Sequence, residues 1–138
     1  MIYLGIDPDI AENGVACWDT VEKNFIYIKK LNFWDVVETF KSEGKFTAII
    51  EAGWLIKKSN WHSGKNDSKG VGEIIAKSVG RNHQVGILLY EYCVRNDIKV
   101  KLVTPKGKVK KDYFKKLTSW SGRVNQDMID ASMLVYGL

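Results

Sequence analysis

"MIYLGIDPDIAENGVACWD" (residues 1–19) sets the reading of the whole chain. Ile2 to Ile6 is an apolar run with the character of a buried strand, and it stops at Asp7, followed at once by Pro8. A second apolar run begins at Gly14. A carboxylate at the tip of a central strand has to be neutralised, paired or bound to a metal. The question is which other acids the fold brings to the same place.

Working outward, Tyr3–Asp7, Gly14–Trp18 and Phe25–Ile28 read as three strands, the last two joined through the polar Asp19–Asn24 turn. Connections this short predict an antiparallel meander. Phe33, Val36, Val37 and Phe40 fall at i, i+3, i+4 and i+7, one face of a helix. Asn32 suits its N-cap, Asp35 its first turn and Gly44 its end. "TAII" (47–50) is a fourth strand, and it too ends in an acid, Glu51. Residues 54–70 are polar, basic and glycine-containing, with Trp54 and Trp61 inside, and read as a loop.

Gly72–Asn96 reads as a helix, with Ile74, Ile75, Val79, Leu88, Leu89, Tyr92 and Cys93 as expected core contacts. Gly80 and Gly86 weaken a helix, which points to close approach by another backbone. Ile98–Val103 alternates apolar residues with Lys99 and Lys101, a fifth strand with one wet face, stopped by Thr104-Pro105. A lysine-rich helix over Val109–Leu117, a polar turn at Ser119–Arg123 and a last helix from Asn125 to Tyr136 complete the chain. The order β-β-β-α-β-α-β-α-α predicts an α/β fold, a mixed five-stranded sheet with helices packed on it.

A chain of 138 residues fits one domain over 1–138, large enough to fold without disulfides. Its only cysteines, Cys17 and Cys93, have no motif spacing, as expected of small core residues in a reducing compartment. No apolar stretch approaches the ~20 residues of a membrane span. The N-terminus has no basic region or cleavage site, so the expectation is a cytoplasmic protein. The net charge is +5, but Lys99–Lys116 holds eight lysines and one aspartate, a local +7 that leaves −2 elsewhere. Such a stripe suits a polyanion, because neutralising phosphates releases counterions. A solvated lysine face is the plain alternative.

If the first and fourth strands are neighbours, Asp7 and Glu51 emerge at one sheet edge. Asp127 and Asp130, at i and i+3 on the last helix, share one side of it. A helix laid across that edge unites all four. Four carboxylates cannot stay ionised together without a cation. Hard oxygen ligands at that density suit Mg²⁺, with Mn²⁺ as a substitute. Two such ions about 4 Å apart are the device of polymerases and nucleases for phosphoryl transfer. Each acid also has an ordinary role open to it. Asp7 before Pro8 can cap a turn, Glu51 can pair with a lysine, Asp127 can favour a helix dipole, and Asp130 can face solvent.

Four segments in order resemble the RuvC-type Holliday junction resolvases. They are "LGIDPDIAENGVA" (4–16), "AIIEAGW" (48–54), "VGRNHQVGILLYEYCVRNDIKVKLVTPKGKVK" (79–110) and "NQDMIDASMLV" (125–135). The resemblance implies an RNase H-like fold with helices on both faces of the sheet. It also implies a divalent-metal endonuclease of the crossover junction endodeoxyribonuclease type, and a homodimer that places two active sites on branched DNA. Carried over by position, the catalytic and metal-binding acids are Asp7, Glu51, Asp127 and Asp130. Two departures stand out. Asp9 replaces the usual glycine, and the chain is shorter than the bacterial members, a size that would fit a phage-type one.

DNA contacts follow from charge and aromatic character. Lys106, Lys108, Lys110 and Lys111 follow the fifth strand, where they would hold phosphates as point charges. Lys57, Lys58 and Trp61 lie just after Glu51, and Trp61 can either stack on an unpaired base or pack on the protein's own surface. Arg81 can touch phosphate or sit on a surface, and His62 and His83 are isolated.

Rival readings remain. One is a YqgF-like or other RNase H-like nuclease acting on RNA or RNA–DNA hybrid, against which Glu51 argues. An actin-like ATPase needs a far longer chain. A catalytically inactive nucleic-acid-binding module would have kept the lysines and lost acids, and a structural interaction protein leaves the four acids without a common explanation.

Overall fold

The computed structural model describes residues 1–56 and 69–138. Five strands form one sheet: β1 (Ile2–Asp7), β2 (Asn13–Asp19), β3 (Asn24–Leu31), β4 (Phe46–Glu51) and β5 (Lys99–Val103). Their spatial order is β3-β2-β1-β4-β5. The first three run antiparallel, and β4 and β5 add in parallel beside β1. The meander and the parallel additions match the sequence expectation. β3 is longer than expected, extending to Leu31, because its outer residues need no burial at the sheet edge.

Helices α1 (Phe33–Ser42), α2 (Lys69–Arg95), α3 (Lys111–Thr118) and α4 (Gln126–Val135) cover both faces. The period-2 geometry of strands splits each central strand between two cores. Leu4 and Ile6, with Val15, Cys17, Ala48 and Ile50, pack against Val36, Val37 and Phe40 of α1 and Val85, Leu89 and Cys93 of α2. On the other face, Ala16, Trp18, Ile28 and Ile49 pack against Phe114 of α3 and Ile129, Ala131 and Val135 of α4. Burial on both sides is why β1, β2 and β4 read as continuous apolar runs. Cys17 and Cys93 are free thiols in the first core.

The caps behave as their chemistry dictates. Asn32 Oδ1 accepts from Asp35 N at 2.9 Å, and Asn125 Oδ1 accepts from Met128 N at 3.0 Å.

Two expectations for α2 are corrected. Ile74, Ile75 and Leu88, expected in the core, are 67%, 53% and 43% exposed. The reason is length. A 27-residue helix spans about 40 Å, whereas a six-residue strand spans about 20 Å. Val85, Leu89 and Cys93 reach the core on the sheet, with Tyr90 and Tyr92 packed beside them, and the N-terminal half of α2 overhangs it. Nor do the helix glycines meet a backbone. Gly80 faces open space, and Gly86 lies against the side chains of Trp54 and Pro8. Among the described residues, no helix is long and apolar enough to cross a membrane.

Candidate active site

The parallel pairing of β1 and β4 places Ile6 opposite Ile50. Asp7 and Glu51 are the next residues on each strand, so both carboxylates leave the same sheet edge. Ala52 N donates to Val103 O at 2.8 Å, holding the end of β4 in line beyond Glu51.

The other two acids arrive on α4, and two glycines set where α4 lies. A Cβ on Gly5 would overlap the Ala131 carbonyl, and a Cβ on Gly14 would overlap the Asp127 carbonyl. The α4 backbone therefore rests directly on the backbones of β1 and β2. The contact at Gly14 carries Asp127 itself, so it registers the acid pair against the sheet edge. Sequence reasoning assigns Gly5 and Gly14 no such role.

Asp7, Glu51, Asp127 and Asp130 line one cavity of about 320 Å³, together with Lys108, Asp9, Trp54 and His83. Burial is the largest influence on Asp7, and repulsion from Glu51, Asp127 and Asp130 adds to it. Its carboxyl is pushed up from 3.8 to about 8. Glu51 is also raised, first by burial and then by Asp130 and Asp127, with Lys108 opposing. Asp127 is raised by burial and by Asp9, while a hydrogen bond from Asp7 favours its charged form. Burial and mutual repulsion thus favour the protonated form of Asp7 while no cation offsets the cluster.

Asp130 is the most engaged of the four. Lys108 Nζ lies 3.0 Å from Oδ2, and Gln126 Nε2 donates to Oδ1 at 2.7 Å. Gln126 also donates to Val109 O at 3.1 Å, which ties the loop before α3 to the acid pair. Among the described residues, no three His, Cys, Asp or Glu side chains close on one point as a ready metal-binding group. The donor set is nonetheless all oxygen and strongly anionic, the kind that suits a hard divalent cation rather than a soft one.

The expected nucleic-acid contacts divide. Lys108 reaches the cavity. Lys106 lines a neighbouring groove. Lys110 and Lys111 are exposed at the start of α3, and Arg81 is exposed on α2; none of the three lines the acid cavity. Lys57, Lys58 and Trp61, like His62, lie outside the described residues.

Three further residues at the cavity carry weight that the sequence pattern does not assign them. His83, isolated in the sequence, packs on Gly53 and meets the Trp54 ring edge-on, with centroids 6.2 Å apart. Asn82 Oδ1 accepts from Ile10 N at 2.9 Å, tying α2 to the turn after Asp7. Extending the Val85–Leu89 stripe back one helical turn gives Asn82, a signal that the sequence does contain. Asp9 Oδ1 accepts from Ala11 N at 2.8 Å, so this departure from the usual glycine also shapes its own turn.

No protein-family model matches the sequence, and neither does any curated protein. Solved structures do match by shape. A RuvC from T. thermophilus in complex with Holliday junction substrate aligns with a TM-score of 0.57 and 12% identity, over 99% of this chain and 91% of that one. A second Thermus thermophilus RuvC structure aligns at 0.55 and 13%, over 99% and 92%. The Fowlpox virus resolvase, solved with Holliday junction DNA, aligns at 0.51 and 15%, over 97% and 93%. The strand order, the mixed pairing and these alignments together give the chain the RNase H-like fold of the RuvC and poxvirus resolvases.

Proposed function

We propose that this chain is a divalent-metal-dependent, structure-selective endodeoxyribonuclease that resolves four-way DNA junctions. The observation that carries this reading is the single cavity that gathers Asp7, Glu51, Asp127 and Asp130 from three distant segments and sets their charges against one another. A protein gains nothing in stability from such a cluster. Solved neighbours of the same fold in complex with Holliday junction DNA support the choice of substrate.

Asp7, Glu51, Asp127 and Asp130 would hold the cation, Mg²⁺ or a substituting Mn²⁺, in a two-ion site. When bound, it supplies the charge that offsets the carboxylates and the polarisation of water and phosphate that hydrolysis requires. Asp7 would be ionised in that site, since opposite charge favours its charged form. Lys108, which pairs with Asp130 at the cavity, would be placed to meet a phosphate there. Gln126 keeps Asp130 oriented throughout. Lys106, Lys110 and Lys111 extend the positive surface beyond the cavity.

Junction resolution needs two cuts, hence two copies. The overhanging half of α2 exposes Ile74 and Ile75, an apolar surface suited to a second copy of this chain.

The test is cleavage with Mg²⁺ of a four-way junction beside a linear duplex, a flap and an RNA–DNA hybrid. Paired, symmetric nicks confined to the junction are expected. Preference for the hybrid would move the chain to an RNase H-type activity, and binding without cleavage to an inactive module.

A further inference from the structure

A second concavity, of about 590 Å³, lies on the α4 face of the sheet beside edge strand β5. It exists because of where α4 sits. The backbone contacts at Gly5 and Gly14 seat α4 over β1 and β2, so the groove opens along the same face of β5, beside the buried Ile49 of β4. Its volume falls in the range of about 300–1,000 Å³ typical of small-ligand sites.

Two features define its chemistry. The interior is apolar, with Ile49 and Val103 on the sheet side and Met133 and Leu134 on the α4 side. The β5 side is cationic, bearing Lys99, Lys101 and Lys106. Lys99 pairs with Thr47, Lys101 with Ile49 and Val103 with Glu51, so the two lysines precede the Glu51 rung on the same face. They are spaced about 6.6 Å apart along the strand, near the separation of successive phosphates in an extended single strand. Glu51 and Asp130 line both this groove and the acid cavity, so the two adjoin.

We infer that this groove is a subsite for one unstacked nucleotide next to the phosphate held at the acid cavity. The inference rests on the function proposed above and names where the strand beside the cleaved bond goes. Duplex DNA keeps its base faces stacked and offers a protein groove only sugars, phosphates and base edges. An unpaired nucleotide presents an apolar base face for the half-buried Val103, Met133 and Leu134, and its flanking phosphates meet the β5 lysines. Base stacking or burial of this sort tolerates any base, so the groove selects for DNA that can open and not for sequence. An acidic peptide added along the edge of β5 would also meet lysines, but it would have no reason to continue into the acid cavity.

The experiment is site-directed disulfide trapping. Lys101→Cys is placed in the full chain together with Asp7→Asn, which keeps the DNA intact. The probe is a four-way junction carrying a disulfide-activated thiol tether on the base at each successive position around the exchange point. Cys17 and Cys93 are fully buried and will not compete. Trapping is expected at one or two adjacent positions, about tenfold above an Asp7→Asn, Ser42→Cys control, because a docked tether has a high effective concentration. Ser42 ends α1, which packs on the opposite face. Junction binding with trapping that is equally weak at every position would overturn the groove assignment and leave the nuclease reading standing. Absence of both DNA binding and Mg²⁺-dependent cleavage in the unmodified chain would overturn that reading, and this inference with it. Trapping of the position by an acidic peptide in preference to the junction would reassign the groove to a protein partner.

Discussion

Helices α4 and α2 approach the acid cavity from opposite faces of one sheet, and they are held in different ways. α4 is short and rests backbone to backbone on β1 and β2 at Gly5 and Gly14. α2 is 27 residues long, touches the sheet only through its second half, and carries exposed isoleucines on the first. The first arrangement fixes position to within an atom's width. The second fixes direction and leaves a surface free. The proposed site acids Asp127 and Asp130 sit on α4, and the surface proposed for a second copy sits on α2.

Substitution at the tight contact should have the largest effect. Gly14→Val is expected to displace α4, destabilise the protein by about 3 kcal/mol and abolish cleavage. Gly44→Val, at a position with open space, should stay within about 0.5 kcal/mol. Urea denaturation of the two variants compares them directly, and equal stabilities would show that the contact does not register α4.

Asp7→Asn is expected to abolish cleavage while keeping or tightening DNA binding, since a negative charge facing phosphate is removed. Full activity in this variant would refute the assignment of the acids.

The same residue gives the metal-free protein a pH signature. The folded pKa of Asp7, about 8, lies above its ordinary 3.8, so the folded state binds its proton more tightly than the unfolded state does. That stabilisation is complete below about pH 4 and is lost as pH rises through about 8. Asp7 alone contributes a decline of at most about 1.4 kcal/mol per pH unit in that window. Thermal melting from pH 4 to 8 should show the decline, and Asp7→Asn or saturating Mg²⁺ should flatten it. An unchanged slope in Asp7→Asn would place the proton elsewhere.

On the α2 side, Ile74→Lys with Ile75→Lys should leave the fold within about 0.5 kcal/mol of the parent and shift a dimer to monomer in sedimentation. A sharp loss of stability would mean that the overhang packs on its own chain. The smallest expected change is for Lys110→Ala with Lys111→Ala. DNA binding should weaken evenly across sequences, with the salt slope falling by about 0.9 for each phosphate that the lysines no longer neutralise.

The convergence of the four acids on one cavity was legible because each stands where pattern is strong: at the end of an apolar strand, or at i and i+3 on a capped helix. The element order was legible for the same reason. What escaped the sequence has a physical explanation in each case. Gly5 and Gly14 act through the absence of a side chain, and a residue with nothing to pattern reads as neutral. Ile74 and Ile75 follow helical spacing, but spacing carries no information about where the sheet beneath a helix ends. His83 reaches the cavity only because Gly53 has no Cβ to exclude its ring, and the two residues are far apart in the chain. Lys108 stands out by charge, and its partner Asp130 depends on a loop path that charge does not specify.

The Gly14 contact also bears on how freely this sequence can change over time. The atoms that a side chain there would strike belong to main chain, which every amino acid carries alike. Trimming the side chain at Asp127 or Met128 therefore makes no room, and a suppressor screen started from a Gly14 variant should return mainly true revertants. The constraint comes from main chain alone, at a position that bears no charge.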